Sequence, residues 1–290
     1  MRNKILYIST ENLNFFYRLN KELNRLKIKF EILKIRTKLP TLPSIILTTS
    51  EEIHKFEKTY EKLVILPYSY GDNFNHYILR VLAVYKIEFK DNYSELTFSI
   101  DPGTNQIGIV IFLDDYYLNS HTIYEKEDFI KIINDYIICF QKEDSNPMRL
   151  NFKFGKGVIQ ITTDLLKRVF EAFKDRKFMK IYLIDESKSS KIKIQDRKKK
   201  LRTKHEASAL IIAMRKGTEV KVRSYLKIIN QNKIKNHNNY NKKVINLEHI
   251  NDKESHLKEV MDKILNNEIS LSNSTIMISE FKTINNHLRV

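Results

Sequence analysis

Three short stretches set acids where the local chain would hold them in place. In Ser99-Ile100-Asp101-Pro102-Gly103 an apolar strand pattern ends on Asp101. A strand end fixes a carboxylate rigidly, and Pro102 and Gly103 bend the chain away so that a phosphate can approach; an Asp-Pro-Gly is also an ordinary turn. In Ile181-Tyr182-Leu183-Ile184-Asp185-Glu186 a second strand pattern ends on two acids, which could equally cap a following helix. In Lys204-His205-Glu206-Ala207 an acid falls in the first turn of a helical stretch, where the helix dipole favours it in any case. Between the second and third stretches run Lys188, Lys191, Lys193, Arg197, Lys198, Lys199, Lys200, Arg202 and Lys204, interrupted only by Asp196. A charge run is usually a solvated loop. This one is denser than solvation needs and flanked by acids, so it is expected to grip a phosphate backbone, with Lys156 of Gly155-Lys156-Gly157 beside it.

The whole chain has the same bias. Its 290 residues hold 51 Lys and Arg against 35 Asp and Glu, a net charge of +16. That excess favours an anionic partner, nucleic acid before a membrane surface, although codon usage rich in Ile, Lys and Asn would also raise it. Apolar residues at 42% and charged residues at 30% are a globular composition. The one cysteine, Cys139, excludes an intramolecular disulfide and a cysteine-cluster zinc site, and reads as a core residue. The first apolar run meets Thr10-Glu11 too soon for a signal peptide, and no stretch approaches the roughly 18 apolar residues of a membrane span. A cytoplasmic protein is expected. Base-specific readout cannot be argued, because no aromatic stacking pattern stands out.

These residues need elements to position them. Residues 1–90 alternate strand-like and helix-like patterns, which implies a small parallel α/β docking or recognition domain. With six Gly in the chain and none in Ser9-Thr10-Glu11-Asn12 directly after the first strand, nucleotide-binding fingerprints are excluded. Residues 91–217 read as three antiparallel strands (Glu95–Ile100, Ile107–Leu113 and Tyr116–Tyr124), then helix, strand, helix, strand, helix. Asp114-Asp115 makes the tight turn between the second and third strands. Residues 218–290 have no strand pattern. They read as a helical segment with a polar Asn/Lys linker at 236–243, and Ile269–Phe281 is apolar enough to pack back on the body or on a partner helix.

Between Tyr93 and Gly217 the order of elements and three motifs resemble the RNase H-like superfamily, in particular RuvC-type Holliday junction resolvases and their YqgF-like relatives. Asp101-Pro102-Gly103 is similar to the first-strand motif of those proteins, Asp185-Glu186 with the serines after it to their second acidic element, and His205-Glu206-Ala207-Ser208-Ala209 to their last helix. The resemblance implies that Asp101, Glu186 and Glu206 are metal ligands. His205 would be an alternative occupant of the last position, a general base or a contact to the leaving phosphate. Two ions, Mg²⁺ or Mn²⁺, about 4 Å apart would then activate a water and stabilise the leaving oxygen. The sequence departs from the resolvase pattern at Lys153-Phe154-Gly155-Lys156-Gly157, where an acid is missing, and in lacking the usual Asp of the last helix. On this reading the protein is a metal-dependent, structure-selective endonuclease. Branched DNA such as a Holliday junction is the leading substrate, structured RNA the second, and a homodimer is expected, with the C-terminal helices a candidate interface. The alternatives are a non-catalytic DNA- or RNA-binding or ribosomal RNA processing factor, and a protein-interaction scaffold.

Overall fold

The computed structural model describes residues 5–35, 43–56, 63–141, 147–185, 201–220 and 248–287. The chain divides into two compact units, Met1–Asp91 and Asn92–Val290.

The first unit runs β1 (Ile5–Ile8), α1 (Leu13–Arg25), β2 (Glu31–Ile32), β3 (Ser44–Thr49), a 3₁₀ turn (Ser50–Lys55), β4 (Leu63–Tyr68) and α2 (Phe74–Lys86). The strands form a parallel sheet in the order β2-β1-β3-β4. Every residue of β3 is buried, as expected of an inner parallel strand covered on both faces. The Asn12 side chain starts α1 by accepting from the Phe15 N–H at 3.0 Å. The helix stops at Lys27, which takes a left-handed φ of 55° without glycine's help. The Ile28 N–H then reaches back to the Leu23 carbonyl and the Lys27 N–H to Asn24, satisfying two of the last-turn carbonyls. Inside, Phe15 stacks on Tyr68 with centroids 5.2 Å apart, and the Tyr77 hydroxyl donates to the Leu66 carbonyl at 2.9 Å.

Glu52, on the 3₁₀ turn, ties the loops after β1 and β3 together. Its carboxylate accepts from the Thr10 hydroxyl and the Glu11 N–H, both at 2.6 Å, and from the Thr49 hydroxyl at 2.8 Å. Burial alone would raise its pKa, but these donors outweigh burial and hold it at about 2.

The second unit runs β5 (Glu95–Pro102), β6 (Ile107–Leu113), β7 (Tyr116–Ile123), α3 (Glu127–Phe140), β8 (Arg149–Gly155), α4 (Ile159–Phe173), β9 (Met179–Ile184), α5 (Lys204–Ala213), β10 (Thr218–Glu219), α6 (Glu248–Leu265) and α7 (Leu271–His287). Its six-stranded sheet has the order β10-β9-β8-β5-β6-β7. The β5-β6-β7 meander is antiparallel, β8 and β9 run parallel to β5, and β10 closes one edge antiparallel to β9. Asp114 and Asp115 both take positive φ, 46° and 72°, as a two-residue hairpin turn requires. Asp114 also accepts from the Ser94 and Glu95 N–H groups at 2.8 and 3.1 Å. The protein is thus a mixed α/β chain, with one parallel sheet, one mixed sheet and helices.

Two expectations change, and one open alternative is decided. A strand does occur after residue 217, although β10 is two exposed residues long. Cys139 is only partly buried on α3, and the adjacent Ile138 is 64% exposed. The C-terminal helices pack within the chain: Val260, Met261, Ile264 and Leu265 of α6 and Leu271 of α7 join one apolar cluster with Val110, Phe112 and the inner face of α5. The start of α7 is held by the β6–β7 turn, where the Asp115 carbonyl accepts from the Leu271 N–H at 2.8 Å and its carboxylate from the Ser272 N–H at 3.1 Å. Among the described residues no helix is long and apolar enough to cross a membrane.

Candidate functional site

Helix α5 lies along the mixed sheet, antiparallel to β5, and brings the two halves of the site together. Its inner face is made of small and branched residues, Ala207, Ala209, Leu210 and Ala213, all buried. The sheet answers with Gly103 and Gly108. A Cβ at Gly108 would collide with the backbone of His205 and Glu206, and one at Gly103 with the His205 ring and the Gln106 carbonyl. Only glycine lets the helix start come this close to the strand end.

Two polar contacts fix the helix lengthwise. The Ser99 hydroxyl donates to the Ala209 carbonyl at 2.7 Å, and the Lys153 ammonium donates to the carbonyls of Ala213 and Arg215 at the helix C-terminus. Burial brings the Lys153 amine down to about 8, against the opposite pull of Asp115 and Glu95.

The result at the other end of α5 is a pair. His205 Nδ1 lies 2.7 Å from Asp101 Oδ2, with the two side chains 19% and 11% exposed. Burial pushes the Asp101 carboxyl up, opposed by its hydrogen bond to His205 and by the charges of His205 and Lys204. An ionised Asp101 only accepts, so Nδ1 carries the hydrogen and Nε2 becomes the basic nitrogen of the neutral ring. A carboxylate that orients an imidazole in this way suits the pair to proton transfer. Lys204 and Arg202 stand exposed at the same helix start. Lys156 follows β8 on the side where β5 ends, its backbone N–H donating to the Ile184 carbonyl at 3.1 Å.

Glu206 is placed otherwise than expected. It is fully buried, and both its oxygens are engaged: Oε2 by the Ser120 hydroxyl at 2.8 Å and the Arg202 N–H at 2.9 Å, Oε1 by the Thr122 hydroxyl at 2.8 Å. Ser120 and Thr122 are on β7, while Asp101 is on β5, with Gly108 of β6 between Asp101 and Thr122 in register. Two strand spacings make roughly 10 Å, so Glu206 is drawn toward β7 and pins the helix start there. Among the described residues no three His, Cys, Asp or Glu side chains gather as a metal-holding group. Of the three proposed carboxylates, Glu206 is taken up by these donors and Asp101 by His205. Glu186, Lys188, Lys191, Arg197, Lys198, Lys199 and Lys200 lie outside the described residues.

Sequence reasoning missed Ser120, Thr122, Thr203 and Lys153. One sign of their role was present: Thr203-x-x-Glu206 has the spacing of a helix-start capping box. The Thr203 hydroxyl does accept from the Glu206 N–H, at 3.2 Å, while the Glu206 side chain goes to β7 and to Arg202.

No protein-family model and no curated protein matches this chain. Among solved structures, the crystal structure of the Aquifex aeolicus member of the Ppx/GppA family matches at 12% identity. It covers 70% of this chain and 69% of that one, with a TM-score of 0.13. The neighbour is of the Ppx/GppA family and not of the RuvC or YqgF kind, and on that finding the identification as an RNase H-like, Holliday junction resolvase-like protein is corrected. Its three motifs were short, and each had an ordinary structural reading; Glu206 has taken that reading.

Proposed function

We propose that this chain binds a nucleic-acid backbone and cleaves phosphodiester bonds at the Asp101–His205 pair. The observation behind the reading is the 2.7 Å contact between the two side chains at the end of β5, where glycines at 103 and 108 let the start of α5 come close enough to make it. His205 Nε2 takes the proton of the attacking hydroxyl or water as its oxygen bonds to phosphorus; Asp101 holds the ring and stabilises the imidazolium, which returns that proton to the leaving oxygen as the old P–O bond breaks. Lys204, Arg202 and Lys156, with the basic run at 188–200, counter the phosphate charge. Branched DNA remains the first substrate to try and structured RNA the second, with Mg²⁺ or Mn²⁺ as the ions to add. A second reading, a nucleic-acid-binding protein without chemistry, is favoured by the engagement of Glu206. Cleavage of labelled four-way junctions, duplex DNA and RNA decides between them, with and without Mg²⁺ or Mn²⁺. Wild type is compared with Asp101→Asn and His205→Ala, and native mass spectrometry of the same samples checks for a homodimer. The hydrolytic reading expects cutting that falls a hundredfold or more in both variants. No cutting of any substrate, or cutting that ignores both substitutions, overturns it.

A further inference from the structure

We infer that the outward face of α1, in the first unit, is a second nucleic-acid surface, contacting phosphates through Lys21, Arg25 and Lys27 and stacking an unpaired base on Tyr17. The inference rests on the nucleic-acid reading above but involves neither Asp101 nor His205.

The inward face of α1 is occupied by Phe15, Leu19 and Leu23, all buried. The outward side chains hold no exposed acid. Lys21, Arg25 and Lys27 are exposed, and Glu22, the one acid of the helix, is half-buried and paired with Arg25 at 2.7 Å. Arg18 belongs to the packing, since its guanidinium lies 4.0 Å from the centre of the Phe74 ring. Its long stem and flat head brace the aromatic cluster, so it is left out of the proposed contact set. Lys27 projects from the left-handed residue that ends the helix, extending the basic row by one position.

A surface needs few charges to stay soluble, and would intersperse both signs. Two cations on the helix and a third just past its end, with no exposed acid on the helix, match an anionic polymer. Tyr17 adds a second feature: its ring is 68% exposed on the same helix, where it covers no core. An exposed aromatic ring at the head of a basic row is what an unpaired base stacks on, at a gain that is tolerant of base identity. An anionic membrane fits less well. A helix that lies in a membrane interface buries an apolar face there, and the apolar face of α1 is already spent inside the unit. Only Leu13 and Tyr17 remain outside.

Fluorescence anisotropy of the full-length protein, titrated into labelled oligothymidylate and into a duplex of the same length over a range of salt, tests the surface. Lys21→Gln/Arg25→Gln/Lys27→Gln is expected to lower the slope of log affinity against log salt by about two to three and to weaken binding to both probes at least tenfold. Tyr17→Ala is expected to weaken binding to oligothymidylate about tenfold and to leave the duplex unchanged. Melting curves must show both variants folded. If Lys21→Gln/Lys27→Gln, which keeps the Glu22–Arg25 pair, folds and the triple variant does not, it replaces the triple with an expected slope change of about one to two. Unchanged affinity and slope in the folded charge variant, or equal losses on both probes in Tyr17→Ala, overturns the inference. So does charge-dependent binding to phosphatidylserine vesicles without any effect on the oligonucleotides. Wild-type protein that binds neither probe removes the nucleic-acid reading itself, whereas binding that α1 does not influence removes only this surface.

Discussion

Glu206 and Gly108 make complementary demands on the same few ångströms. The buried Glu206 side chain accepts from the Ser120 and Thr122 hydroxyls and the Arg202 N–H. Removing the carboxylate strands those donors, so Glu206→Ala is expected to cost about 3 kcal/mol in urea unfolding. Glu206→Gln, which keeps one acceptor, should cost less. Gly108→Ala would press a methyl group into the His205 backbone, and about 2 kcal/mol is expected from a contact that only helix movement can relieve. Both changes should reduce any cleavage by shifting His205. Crystal structures of the variants would show the His205–Asp101 separation lengthened from 2.7 Å; an unchanged separation defeats the prediction.

At the scale of elements, two polar side chains link parts of the fold, and each adds stability as pH rises, Glu52 in the acid range and Lys153 in the alkaline range. Glu52 titrates at about 2 in the folded chain against an ordinary 4.5. A lowered carboxyl stabilises fully above the ordinary value and loses that contribution as pH falls toward 2. Glu52→Gln should therefore flatten acid unfolding between pH 4.5 and 2, followed by circular dichroism. Lys153 is brought down to about 8 from 10.5. Folding then disfavours its protonated form, so the wild type should gain stability relative to Lys153→Met as pH rises from 8 to 10.5, by up to about 3 kcal/mol. Chemical denaturation across that range checks the sign. The elements differ in how much of this could be read beforehand. The strands β3, β5 and β6 were legible because their apolar runs admit no other packing. Helix α4 begins at Ile159, earlier than the Thr163 expected; Thr162 and Thr163 are accommodated inside it, their hydroxyls donating to the carbonyls of Val158 and Ile159 at 3.0 and 2.7 Å. Asp101 at a strand end could be foreseen from its neighbours alone. The direction of Glu206 could not, since it depends on two hydroxyls some eighty residues away on β7.

For the molecule as a whole, the apolar cluster that joins α5, α6 and the β6–β7 hairpin makes the C-terminal helices part of the second unit's core. A chain ending before Glu248 would expose Val110, Phe112 and the flank of α5. It is expected to aggregate or to bind a hydrophobic dye, while the full chain does neither. The Asp115 cap on α7 has a temporal consequence. Helix α7 takes its first hydrogen bonds from a turn 157 residues upstream, so its start is specified only after that turn has formed. On a ribosome the hairpin emerges long before α7 and waits as a template. In refolding from denaturant the same contact must close a very long loop, and the docking of α7 should be among the last and slowest steps.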